Sequence, residues 1–156
     1  KKNLRLLGFP PDIIRRVSIA MYEGEINMVI HAHGGEADVY ISDTEIVIVL
    51  SDRGPGIKDV SLAMQEGYST ARENIRVLGF GAGMGLPNMK KYTDFMQIDT
   101  KVGEGTTVTM KVAGWPSATC TVASLARGVP LYVNFRISGS TLSTEKLRFF
   151  AAMNSV

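Results

Sequence analysis

Two β-hairpins are nearly explicit in this sequence, and they constrain the fold more than any other feature. In the first, residues 37–42 alternate, with Val39 and Ile41 on one side and Asp38 and Tyr40 on the other, and Asp43-Thr44 reads as a turn. Residues 45–51 follow with Ile-Val-Ile-Val-Leu, a continuous β-branched run expected to form a strand buried on both faces or nearly so. In the second hairpin, residues 95–102 and 106–112 alternate about the three-residue loop Gly103-Glu104-Gly105. Two hairpins argue against a doubly wound parallel sheet, whose strands are joined through helices.

The remaining pattern is helical or glycine-rich. Residues 1–9 read as the end of a helix stopped by Gly8 and the Pro10-Pro11 pair. Asp12 then stands where an N-cap is wanted, and Ile13, Val17, Ala20, Met21, Ile26, Val29 and Ile30 recur near the helical period. His31-Ala32-His33 ends this helix, and Gly34-Gly35 is expected to supply the left-handed stop. Residues 52–57 read as a turn, 59–65 as a short helix, 66–85 as a glycine-rich loop and 86–92 as a helix with Pro87 in its first turn. The fold expected is α+β: a two-layer α/β sandwich with a mixed, mainly antiparallel sheet covered by helices on one face.

Composition narrows the function classes. The 156 residues suffice for one compact domain, and a single cysteine, Cys120, excludes an internal disulfide or a cysteine-rich metal framework. No run of 18 apolar residues and no secretory signal is visible, so a cytoplasmic domain without membrane contact is expected. Residues 1–112 carry 13 basic and 14 acidic residues, net −1, whereas 113–156 carry four basic residues and one acid, net +3. No basic cluster marks the first 112 residues, so no direct nucleic-acid partner is expected. From residue 113 the periodicity fades; 131–137 is expected as a strand and 144–153 as a short helix, with 113–156 as a whole an unassigned extension.

Three constellations could carry chemistry. Glu23 and Asn27 stand four apart on the long helix, hence on one face, and Asn27 falls in an otherwise apolar stretch where a buried amide needs partners. Asp52-x-Gly54-x-Gly56 places a carboxylate at the end of a strand, followed by glycines that admit close backbone approach. The series Gly79, Gly81, Gly83 and Gly85 runs into a helix, where exposed N–H groups favour anions. Taken singly, these also read as a rim amide, an ordinary turn and a flexible loop. The last matches neither the Walker pattern nor Rossmann spacing. His31 and His33, two apart, make a poor metal pair; Cys120 has no evident base partner; Met21, Met28, Met64, Met84, Met89 and Met96 read as packing.

Order and spacing together are more specific. Glu23-x-x-x-Asn27, Asp52-x-Gly54-x-Gly56, a lid ending Gly83-Met-Gly-Leu86, and Gly105-Thr-Thr107 resemble the GHKL ATPase superfamily and its Bergerat nucleotide fold. Residues 23–31, 52–57 and 67–70 look most like the bacterial anti-sigma factor and switch-kinase branch of small serine/threonine protein kinases. The resemblance covers residues 4–112, giving an ATP-binding kinase domain over 1–112 from which the family's N-terminal strand and part of its first helix are missing. It implies ATP and Mg2+ as cofactors, Asn27 as the magnesium ligand and Glu23 as the general base. It implies Asp52 as acceptor from the adenine amino group, with Gly54 and Gly56 forming the turn under the base. Gly81, Gly83 and Gly85 would cradle phosphates, Thr106 would support the adenine pocket with Thr107 as neighbouring candidate, and Arg72 and Arg76 could meet the γ-phosphate. The implied partners are a STAS-domain anti-sigma antagonist, a sigma factor, or both, and a second copy in a homodimer. A nucleotide-gated sigma-factor-binding module without catalysis and the catalytic fragment of a histidine kinase are the alternatives.

Overall fold

The computed structural model describes residues 4–5, 7–42, 44–71, 73, 75, 81–114 and 131–138. Among the described residues these elements follow in order: α1 (Pro11–Ala32), β1 (Gly34–Ile41), β2 (Glu45–Asp52), α2 (Val60–Ala63), α3 (Gly85–Lys91), β3 (Phe95–Lys101), β4 (Gly105–Ala113) and β5 (Leu131–Ser138). The strands form one sheet in the order β3-β4-β2-β1-β5, and all four pairings are antiparallel. Helix α1 packs on β1, β2, β4 and β5, with α3 beside it, so the expected two-layer α+β sandwich is present.

Strand alternation builds the core. In register across the sheet stand Ala37, Leu50 and Val108, then Val39, Ile48 and Met110, then Ile41, Ile46 and Val112. All nine are buried, and Ile13, Ile14, Val17, Ala20 and Met28 of α1 close over them. The run 46–50 is buried on one face only. Val47 and Val49 are half-exposed, because α1 and its neighbour α3 cover the opposite face. Met28, Met89 and Met110 are core residues, in keeping with methionine as packing.

The ends of α1 differ from expectation. Pro10 holds the cap position without a side-chain bond, Pro11 takes the first helical position, and Asp12 lies inside the first turn. Proline needs no partner for an N–H it lacks, and a carboxylate one step further still favours the positive helix end. At the other end the stop begins one residue early, at His33 (φ 61°), whose N–H donates to the Met28 carbonyl, and Gly34, also at positive φ (123°), opens β1. Gly35 is needed for another reason: a Cβ there would stand 2.5 Å from the Ser51 carbonyl oxygen and 2.7 Å from Met28 Sδ.

Arg16 ties the layers together. Its guanidinium pairs with Asp94 at 2.7 Å and donates to the carbonyls of Tyr92 and Ala113, joining α1 to the α3–β3 turn and the end of β4. Residues 131–138 form the strand expected over 131–137 and pair along the whole of β1 as β5. The helix expected over 144–153 lies outside the described residues.

At Gly24 α1 lies close on the sheet: a Cβ there would collide with Leu50 Cδ1 and meet Met89 Sδ at 3.3 Å. Overpacking of this kind costs about 1–3 kcal/mol. Gly24→Ala is therefore expected to lower the unfolding free energy by that cost less the roughly 0.5–1 kcal/mol that alanine gains over glycine within a helix, read as a lower urea midpoint at an unchanged m-value. An unchanged or raised midpoint would mean the interface repacks freely.

Candidate functional site

The site grows from three local structures, the first two of which α1 links. The first is the face of α1 turned to α3. Glu23 and Asn27, both half-buried, stand one turn apart there. The Asn27 amide lies where a Cβ on Gly85 would be, with Oδ1 and Nδ2 each 2.9 Å from that point. Only glycine lets the main chain of 85 approach so closely. One turn along α3, Asn88 Nδ2 donates to Glu23 Oε1 at 2.7 Å. Beside Glu23, the Tyr22 phenol is held above its ordinary pKa, chiefly by burial and then by the neighbouring carboxylate.

The second is the end of β2. Asp52 Oδ1 accepts from the Gly54 N–H at 2.8 Å and from the Thr106 N–H at 3.3 Å, so one oxygen secures both the turn and the facing strand. Among the described residues no donor reaches Oδ2. The turn is pinned to the β3–β4 hairpin: Gly103 N–H donates to the Pro55 carbonyl, and Ile57 N–H to Thr100 Oγ1 at 2.9 Å. Gly56 has φ +70° and lies against the Lys101 carbonyl, a place closed to any side chain. Thr100 Oγ1 also lies 3.0 Å from Thr106 Oγ1.

Thr107 does not join this cluster. Successive strand residues face opposite ways, so buried Thr106 looks with Asp52 towards the helices while Thr107 meets Ser51 Oγ at 3.3 Å on the open face. It is removed from the candidate site on that ground.

The third is the pair of lid ends. Gly67 N–H donates to the Gly83 carbonyl at 3.1 Å, and Gly83 (φ +74°) fits against the backbone of Gly67 and Tyr68. Gly81 (φ +70°) packs on Ala71, whose N–H donates to Ser69 Oγ. Gly79, Arg72 and Arg76 lie outside the described residues.

Helix α1 brings the first two structures into one site. Gly54 lies against Ala32, nine residues beyond Glu23 and so about 13 Å along the axis. His31, between them, has its pKa lowered, first by burial and with opposition from the Asp52 charge. Two residues here were not foreseen from sequence. Asn88 stands three after Gly85, and Thr100 stands opposite Thr106 in the hairpin register. Spacing was the available signal for both, but it needs the register to be read.

The family model described as Histidine kinase-, DNA gyrase B-, and HSP90-like ATPase matches residues 13–114. The chain belongs to that family. Its relatives put it in the anti-sigma factor and switch-kinase branch. It is 33% identical over 102 residues to the anti-sigma F factor of Caldanaerobacter subterraneus, covering 62% of this chain and 68% of that protein. With the anti-sigma F factor of Pasteuria penetrans it shares 35% over 101 residues, 60% of this chain and 64% of the relative. With the serine/threonine-protein kinase RsbT of Bacillus subtilis it shares 30% over 106 residues, 65% and 74%. The matched stretch is thus about two thirds of these relatives' length. No described helix is long and apolar enough to cross a membrane.

The folded state holds His31 neutral, and the unfolded chain takes up its proton first, near pH 6.5. Stability is therefore expected to fall as pH drops below about 6.5 and to level off once the folded histidine titrates. Proton-coupled chemical shifts of His31, with urea melts of the wild type and His31→Gln, check this. An identical pH slope in both proteins would refute it.

Proposed function

We propose that this domain binds ATP with magnesium and transfers the γ-phosphoryl group to a serine or threonine hydroxyl of a STAS-domain antagonist, within a switch that controls a sigma factor. The observation that carries the reading is Asn27 against the backbone of Gly85, with Glu23 one turn before it on the same face of α1 and bonded to Asn88. The names of the relatives, anti-sigma F factors and a serine/threonine-protein kinase, support the branch of chemistry.

The donor chemistry fits the cofactors. An amide oxygen beside a carboxylate is a hard-oxygen set, suited to a cation that keeps most of its ligands as water and phosphate oxygens. Bound there, magnesium would offset charge on the β- and γ-phosphates. Asn27 would hold it, and the main chain of Gly81, Gly83 and Gly85 offers N–H groups to the phosphates without side chains in the way. Asp52 spends Oδ1 on Gly54 and Thr106, which leaves Oδ2 to accept from an exocyclic amino group. Adenine presents that donor; guanine presents a carbonyl, and two acceptors repel.

Glu23 then acts as base. The incoming hydroxyl oxygen bonds to the γ-phosphorus as the bond to the bridging oxygen breaks; its proton passes to Glu23, and ADP leaves. The catalytic role is what separates this reading from a nucleotide-gated binding module, which needs Asp52 and Asn27 but no base.

Calorimetry and a phosphotransfer assay test the reading. Asp52→Asn keeps an oxygen for Gly54 but sets an amide donor against the adenine amino group, and should weaken ATP binding by roughly ten- to a hundredfold. Asn27→Ala should abolish the magnesium dependence of binding. Glu23→Ala should bind ATP normally while phosphotransfer to a purified STAS-domain protein falls about 10²–10⁴-fold. Normal transfer by Glu23→Ala would remove the base, and nucleotide binding with no transfer by the wild type would leave the gated module.

A further inference from the structure

We infer that Asn88 is a positioning residue for the base, an inference that rests on the reading of Glu23 just given. The argument is geometric. Helix α3 meets α1 through one face made of positions 85, 88 and 89. Gly85 lies on Asn27, Asn88 donates to Glu23 Oε1 at 2.7 Å, and Met89 lies beside Gly24. The two outer contacts thus fall on the two side chains assigned to chemistry, and the middle one belongs to the core, where Met89 is 1% exposed.

A half-buried glutamate at the rim of a helix pair has three side-chain torsions to settle. A carboxylate can only accept, so the bond from the Asn88 amide fixes which oxygen faces α3 and leaves Oε2 to take the hydroxyl proton. The donor is on a helix held by Met89 in the core and by the Arg16 contacts to Tyr92 and Asp94 at its far end, so it cannot follow the glutamate if the latter swings. A base displaced by an ångström loses much of its rate, whereas ATP binding at Asp52 and Asn27 does not depend on its orientation.

The test uses γ-labelled ATP with magnesium and a purified serine-bearing STAS-domain protein. Asn88→Ala should lower kcat roughly ten- to a hundredfold with KM and the calorimetric Kd for ATP unchanged. In a Glu23→Ala background the same substitution should cost nothing further, since its effect passes through Glu23. Asn88→Asp has the same shape but no amide donor and should lose both rate and Tm. Adding Glu23→Gln exchanges donor and acceptor across the bond, so the double variant should recover Tm and remain without turnover. If Asn88→Ala does not fold, the aspartate variant takes its place in the rate comparison. Full kcat in either variant, or additive losses with Glu23→Ala, would overturn the positioning role while leaving Glu23 as base. Unimpaired transfer by Glu23→Ala alone, or none by the wild type, would instead overturn the proposed function and this inference with it.

Discussion

Helix α1 can lie close on the sheet because position 24 carries no side chain, and much of the molecule depends on that contact. A Cβ there would run into Leu50 on β2 and press on Met89 of α3. With glycine, three elements meet at one point: strand β2, the long helix α1 and the short helix α3. Glu23 and Asn27 flank this point on α1, and Asn88 and Gly85 flank it on α3. The packing that closes the core therefore also sets the distance between the carboxylate, the amide and the backbone they face. Core and site are one construction here, and a change in the first is felt in the second.

The other end of the site depends on a single oxygen. Asp52 Oδ1 holds the turn through Gly54 and the neighbouring strand through Thr106, while Thr100 takes up the Ile57 N–H and faces the Thr106 hydroxyl. A carboxylate tied in this way has one oxygen spent on structure and a second oriented by the first. Helix α1 then carries this end to the Glu23 end, with Ala32 against Gly54 and His31 within the field of the Asp52 charge. Burial keeps His31 neutral although the Asp52 charge favours its protonation.

What was legible in the residues was what repeats locally. Period-two alternation located β1, β2, β3 and β4, and period 3.6 located α1, because each of these elements turns one apolar face to the core. The faulty readings were local too. Asp12 lost the cap to Pro10 because Pro11, with its fixed φ and no N–H, starts the helix one residue earlier, and the positive-φ stop begins at His33 and continues through Gly34. The run at 46–50 was read as covered on both sides, but hydropathy within a strand does not say how many layers lie above it. Thr106 and Thr107 could not be separated until the register gave each a face.

By itself, then, the order of the residues determined the α+β class, the hairpins, the long helix, and the candidacy of Glu23, Asn27, Asp52 and the glycines, since the spacing of a helix turn or a strand residue is covalent geometry. Tertiary structure alone decided which of those candidates meet. It brought Asn88 to Glu23 across 65 residues of chain and Thr106 to Asp52 across 54, and it paired residues 131–138 with β1. Such contacts depend on how helices and strands dock, which is set by volume and register summed over the whole core and is written in no single stretch of sequence.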